Sequence, residues 1–402
     1  MPSSSATPFP KGTVLLHIGP HKTGTTALQG AFHSNRDALA EHGVHYAGRG
    51  RQPMLAALAM TGRPGRRGDT QTSPRRAEAL AEEVAGALSQ RVVVSTEFLA
   101  DASADAAREA VRRLGGPRAQ VVVTLRPLGR IMPSQWQQYV QNGLRARYDV
   151  WLDHMLNKPP YNRPTPSFWY RHSHDQLVQR WVAATGGPDK LTVVVLDESD
   201  RGMVFRTFER LLDLPEGLLV PESGVPNRSL SLGEVEVIRL LNHEFRRQKW
   251  SNEVYGRFIR NAVAKQLLEH RRPAPGEPVI TTPKWAMERA AEIGTAAAAS
   301  IAASGVRVIG DLASLGAVLD GGAPDKAEPS PDPLIPASAA AIALIGTITA
   351  SGQTGPVASP IEPNDDPEVT AVGAVDTRTL ARVVAARVRR RAGIKMKARR
   401  PR

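Results

Sequence analysis

Val14-Leu-Leu-His-Ile-Gly-Pro-His-Lys-Thr-Gly-Thr-Thr-Ala-Leu-Gln29 runs from an apolar segment through a glycine loop into a helix start. Val14, Leu15, Leu16 and Ile18 predict a short buried parallel strand. Gly19 and Gly24 permit the backbone conformations that turn successive N–H groups inward on an anion. Thr25, Thr26 and Ala27 then open a helix whose N-terminus carries partial positive charge. Strand, loop and helix together are suited to holding a phosphate.

The spacing Gly19-x4-Gly24-Thr25-Thr26 matches the nucleotide-triphosphatase loop with one change. The lysine expected after the second glycine is replaced by Thr25, and the loop's cation is Lys22. In the usual loop that lysine reaches the β- and γ-phosphates and the next hydroxyl holds magnesium, so the displaced cation argues against ordinary ATP or GTP hydrolysis. A second candidate phosphate site lies further on, in Arg126-Pro-Leu-Gly-Arg-Ile-Met-Pro-Ser134. An arginine fork and a hydroxyl near a helix start suit a phosphate monoester, although a surface arginine and a helix cap would look the same.

Lys22-Thr23-Gly24-Thr25-Thr26 resembles the loop of sulfotransferases that use 3′-phosphoadenosine-5′-phosphosulfate (PAPS), and the Arg126–Ser134 interval is similar to that family's grip on the 3′-phosphate. The resemblance implies that His21, Lys22, Thr23, Gly24, Thr25, Thr26, Arg126 and Ser134 bind PAPS. It implies a metal-free transfer of a sulfuryl group to a hydroxyl or amine of a carbohydrate, lipid or small metabolite. Ala27 stands where the cytosolic members place an aromatic residue, and that family's late Arg-Lys-Gly clamp is missing. Both departures favour the bacterial or carbohydrate-type branch. Arg228 and Arg257 are the candidates to replace the clamp.

Two side chains are proposed for the chemistry. Lys22 would neutralise charge growing on the bridging oxygen as the sulfuryl group leaves. Glu97, in Ser95-Thr96-Glu97 beyond a strand, falls where the cytosolic members carry a catalytic histidine, so the resemblance makes it the general base. A first-turn glutamate complementing a helix dipole is the structural alternative. His45 is the second candidate base, and His21 is either a phosphosulfate or acceptor contact or a bystander. The scattered histidines suggest no metal cluster.

Outward from the loop, apolar runs at Val44-His45-Tyr46, 91–95, 119–125 and 191–196, and a last short strand or extended closing segment over 306–312, alternate with helical patterns. A helix carrying Ser134 in its first turn is expected over Pro133 to Asn142. The alternation predicts an α/β fold: a P-loop three-layer α/β/α domain on a mostly parallel central sheet, followed by a disordered C-terminal extension. The expected organisation is a flexible N-terminus over 1–11, the P-loop domain over 12–320, a low-complexity linker over 321–367, and a basic tail over 368–402 with a helical pattern that puts Leu380, Val383, Val384 and Val388 on one side. The Gly-, Arg- and Pro-rich segment 48–76 is expected to be a long connection near the substrate.

The 402 residues contain no cysteine, which excludes disulfides, thiolate metal sites and a cysteine nucleophile. Without a signal-like or membrane-spanning run, a cytoplasmic location is expected. The net charge of +13 concentrates in the tail, where residues 376–402 carry eleven Lys/Arg and one Asp, or +10, leaving +3 elsewhere. No specific nucleic-acid motif accompanies that charge; the tail could contact an anionic membrane surface or be a solvated basic end. Two other function classes therefore remain beside the sulfotransferase: a P-loop kinase or nucleotide hydrolase, and a non-enzymatic polyanion- or membrane-surface-binding protein.

Overall fold

A computed structural model describes residues 7–62, 74–221, 228–318, 334–352 and 369–371. Six strands form the central sheet: β1 (Val14–His17), β2 (Val44–Tyr46), β3 (Arg91–Ser95), β4 (Ala119–Leu125), β5 (Leu191–Val195) and β6 (Arg307–Ile309). Their order is β2-β3-β1-β4-β5-β6, and every neighbouring pair is parallel. The apolar runs form strands here because both sheet faces are covered, which removes the need for polar alternation.

Side-chain alternation divides the sheet between two cores. Val14, Leu16, Val92, Val94, Val121, Val123 and Val193 point to one face, where Leu80, Leu114 and Trp181 from three helices cover them. Leu15, Val93, Val122 and Val194 point to the other, against Leu28, Phe32 and Phe208. These are the layers of an α/β/α sandwich. A third core, around Trp136, Trp151, Phe168, Ile238 and Leu267, is built mainly from helices.

β3 and β4 flank β1 on opposite sides. Chain leaving β1 therefore enters the crevice at the carboxyl ends of the strands where connections diverge, the position at which open α/β sheets bind ligands. The loop 18–24 occupies that position, followed by the helix Thr25–Ser34.

Three segments differ from the sequence expectation. The helix carrying Ser134 begins at Leu128, so Ser134 lies in its second turn and Pro133 is inside it. Pro127 supplies an extended entry to that helix, and Pro133 removes only one backbone donor near its beginning. Within segment 48–76, Met54–Met60 is a helix, while 63–73 lie outside the described residues.

Leu334–Pro336 of the expected linker pairs antiparallel with Val369–Ala371 of the expected tail, and Ala337–Ser351 of the linker is a helix. Ala339, Ile342, Ala343 and Gly346 make its buried face, and Ile335, Ala339, Ile342 and Ala343 join the third core. Arg271, itself buried, donates to Ser338 at 3.1 Å. The remaining parts of the expected linker and tail, 319–333, 353–368 and 372–402, lie outside the described residues. Among those described, no helix is long and apolar enough to cross a membrane.

Candidate functional site: the loop after the first strand

The loop rests on a buried polar chain that crosses three strands. Ser95 of β3 lies 2.8 Å from His17 Nδ1, and His17 Nε2 lies 3.2 Å from Thr124 Oγ1 of β4. Thr124 is 2.9 Å from the Thr23 hydroxyl, which donates to the Pro20 carbonyl at 2.7 Å. Each hydroxyl has one proton and the carbonyl can only accept. Thr23 donating to Pro20 therefore makes Thr124 donate to Thr23 and His17 Nε2–H donate to Thr124. Burial pushes the His17 pKa down from 6.5 to about 3, which keeps the imidazole neutral and leaves Nδ1 to accept from Ser95.

Gly19 lies directly over this chain. A Cβ there would come 2.0 Å from Thr124 Oγ1 and 2.9 Å from His17 Nε2, so the glycine is required by close approach. Lys22 has a φ of 72° and Gly24 one of 76°. The left-handed conformation costs a lysine roughly 1–2 kcal/mol, a strain of the kind found where surrounding structure fixes a functional loop. Thr23 and Thr25 are buried beneath the turn, while Gly24 and Thr26 are exposed at the helix N-terminus.

His21 and Lys22, adjacent in sequence, connect to opposite strands. The buried His21 places Nδ1 3.8 Å from Glu97 Oε1 and sets its ring edge against Phe98, with centroids 5.3 Å apart. On the other side, the Lys22 carbonyl accepts from Arg126 at 3.4 Å. The loop therefore bridges the end of β3 to the end of β4.

Glu97 opens a short 3₁₀ helix, Glu97–Asp101, capped by Thr96. It is buried, and two amides donate to it: Gln29 to Oε2 at 3.0 Å and Gln52 to Oε1 at 3.3 Å. Gln52 in turn accepts from Thr96 at 3.1 Å. The first-turn position expected of Glu97 and its position beside the loop thus coexist.

Arg126 offers its fork to Glu198, which follows β5. Nε pairs with one carboxylate oxygen, and a terminal nitrogen donates to the other at 2.6 Å. Arg130 Nε lies 4.0 Å from the same carboxylate. Ser134 donates to the Ile131 carbonyl at 3.0 Å, so its proton is engaged within its own helix.

The other candidates are held in different surroundings. His45 lies 2.8 Å from Glu83, which also accepts from the Gly48 N–H at 2.9 Å. Arg228 makes a two-pronged pair with Glu234 at 2.8 Å on each arm, within the capping box of Ser231 and Glu234 that starts the helix Leu232–Arg247. Arg257 donates to the Ala350 carbonyl at the end of the helix Ala337–Ser351. Both clamp candidates therefore brace helices. Among the described residues, no group of three or more His, Asp or Glu side chains is arranged to hold a metal ion.

Sequence reasoning missed the supporting residues His17, Ser95, Thr124, Gln29, Gln52 and Glu198. His17 and Thr124 are polar interruptions in otherwise apolar strands, a legible irregularity. Gln52 and Glu198 come from connections whose paths only the folded chain defines.

No family model matches the chain, and no curated protein matches it. Among solved structures, the crystal structure of a sulfotransferase from Alicyclobacillus acidocaldarius is similar over 57% of this chain and 93% of that chain, with 16% identity and a TM-score of 0.37.

Proposed function

We propose that the chain is a sulfotransferase that moves a sulfuryl group from PAPS to a hydroxyl or amine of a carbohydrate, lipid or small metabolite. The observation that carries this proposal is the bridging loop: His21 lies beside Glu97, and the Lys22 carbonyl receives Arg126. That arrangement gathers a candidate base, a loop cation, a helix N-terminus and an arginine fork at one crevice.

The donor set suits PAPS. The exposed N-terminus of Thr25–Ser34 would receive the 5′-phosphosulfate. Arg126 already engages an oxyanion through two nitrogens in its pairing with Glu198, which supports a 3′-phosphate as a fitting partner. PAPS supplies the activated sulfuryl group when bound.

In the proposed reaction Glu97 takes the acceptor proton while the acceptor oxygen or nitrogen bonds to sulfur. The bond from sulfur to the bridging oxygen breaks, and Lys22 stabilises the negative charge developing on that oxygen. Gln29 and Gln52 orient the carboxylate through their donated hydrogen bonds. The neutral His17 and the two threonine hydroxyls position the loop without joining the transfer.

The test is calorimetry of the purified full chain with adenosine 3′,5′-bisphosphate, paired with labelled PAPS and a mixed acceptor pool. Preferential binding of the bisphosphate over adenosine 5′-monophosphate and transfer of label are expected. Absence of binding at millimolar bisphosphate removes the donor assignment; magnesium-dependent ATP turnover would establish the kinase or hydrolase reading.

A further inference from the structure

We propose that Glu198 is a built-in competitor for the nucleotide 3′-phosphate, setting affinity by occupying the Arg126 fork until a phosphate monoester displaces it. The proposal rests on the sulfotransferase reading above. Its structural basis is the two-pronged Arg126–Glu198 pair, with Arg130 as a second cation beside the carboxylate.

The pair is poised to open. The Arg126 side chain is 28% exposed and that of Glu198 is 32% exposed, so water can stabilise either charge when they separate. The loop's backbone has separate anchors. Asp197 accepts from the Ser199 N–H at 2.8 Å and from its hydroxyl at 2.6 Å, and Asp200 accepts from the Gly202 N–H at 3.1 Å. Glu198 can therefore rotate away without dismantling those turns.

Charge decides the competition. A carboxylate brings one negative charge and two oxygens, whereas a phosphate monoester brings nearly two charges and three acceptor oxygens. The phosphate displaces Glu198 when nucleotide is present. When it is absent, the carboxylate neutralises Arg126 and keeps its fork from collecting other anions. Because the 3′-phosphate remains on the nucleotide after sulfuryl transfer, the same competition weakens product binding and promotes release. A nucleotide without that phosphate leaves the ion pair closed.

Binding and dissociation of adenosine 3′,5′-bisphosphate and adenosine 5′-monophosphate provide the test, using full-length wild type, Glu198→Gln, Arg126→Gln and the double variant. Glu198→Gln should tighten the bisphosphate about fivefold, the upper scale of a partly solvated charged pair, slow its dissociation, and leave the monophosphate unchanged. The gain should vanish when Arg126→Gln is added. Glu198→Asp, with a carboxylate too short to span the same fork, should give a smaller gain and provides a second variant if Gln impairs folding. No change or a loss in bisphosphate affinity for either variant overturns the proposal, as does an equal change for both nucleotides. A wild type with no preference for the bisphosphate instead overturns the underlying sulfotransferase reading.

Discussion

At the residue scale, His21 and Lys22 divide the site between them. Lys22→Ala should lower kcat about 100-fold or more, because it removes charge stabilisation gained during transfer. Glu97→Gln keeps the side chain's volume while removing a base, so a loss of roughly 10²–10⁴ in kcat is expected with bisphosphate affinity retained. Steady-state PAPS turnover and calorimetry separate these effects; unchanged turnover in either variant removes the role assigned to that residue. His17 governs the loop from below. Its folded pKa is depressed to about 3 from 6.5, so between those values the unfolded chain binds the additional proton. Its contribution is present above pH 6.5 and is lost as pH falls towards 3, at up to about 1.4 kcal/mol per pH unit. Urea unfolding from pH 7 to pH 4 should show that loss, with a shallower slope in His17→Gln; parallel slopes would rule out His17 as a contributor. The loop cation and glycines were legible in the sequence because they are contiguous. Glu198 was not, because its partner is brought to it by the pairing of β4 with β5.

At the element scale, the helix Ala337–Ser351 changes the boundary between folded domain and extension. Composition concealed it: Ala, Ser, Thr and Gly resemble linker residues, yet 339, 342, 343 and 346 recur with helical spacing. At Gly346 an added Cβ would lie 3.2 Å from the Ala262 carbonyl and Val263 Cα, so small residues permit the approach to the π-helical segment Gly256–Ala264. Ile342 is 1% exposed, and Ile342→Ala should cost about 3 kcal/mol through lost burial and cavity formation. Equilibrium urea unfolding measures that change; a cost near zero would mean that the helix is not docked in solution. The Ser134 helix illustrates a different error. A proline in the first turns of a helix need not mark its start, so the sequence signal placed the boundary too late while retaining the correct element.

At the scale of the whole molecule, the parallel sheet was legible because strands buried on both faces read as short apolar runs separated by helical patterns. Their spatial order was not legible, since hydropathy does not say which strands become neighbours. The order explains the clustering of Glu97, the loop and Arg126: their elements follow or contain β3, β1 and β4, the three adjacent central strands. The same direction shared by all six strands also separates the molecule into a working rim and a handling rim. Leu88 lies in the connection entering β3, at the end opposite the bridging loop, and is 67% exposed. A short flexible epitope inserted after Leu88 should leave bisphosphate affinity unchanged in calorimetry, whereas loss of binding would show that this end is coupled to the site. The sheet's polarity thus provides a place to immobilise or label the protein that leaves the opposite rim, where the proposed site lies, open.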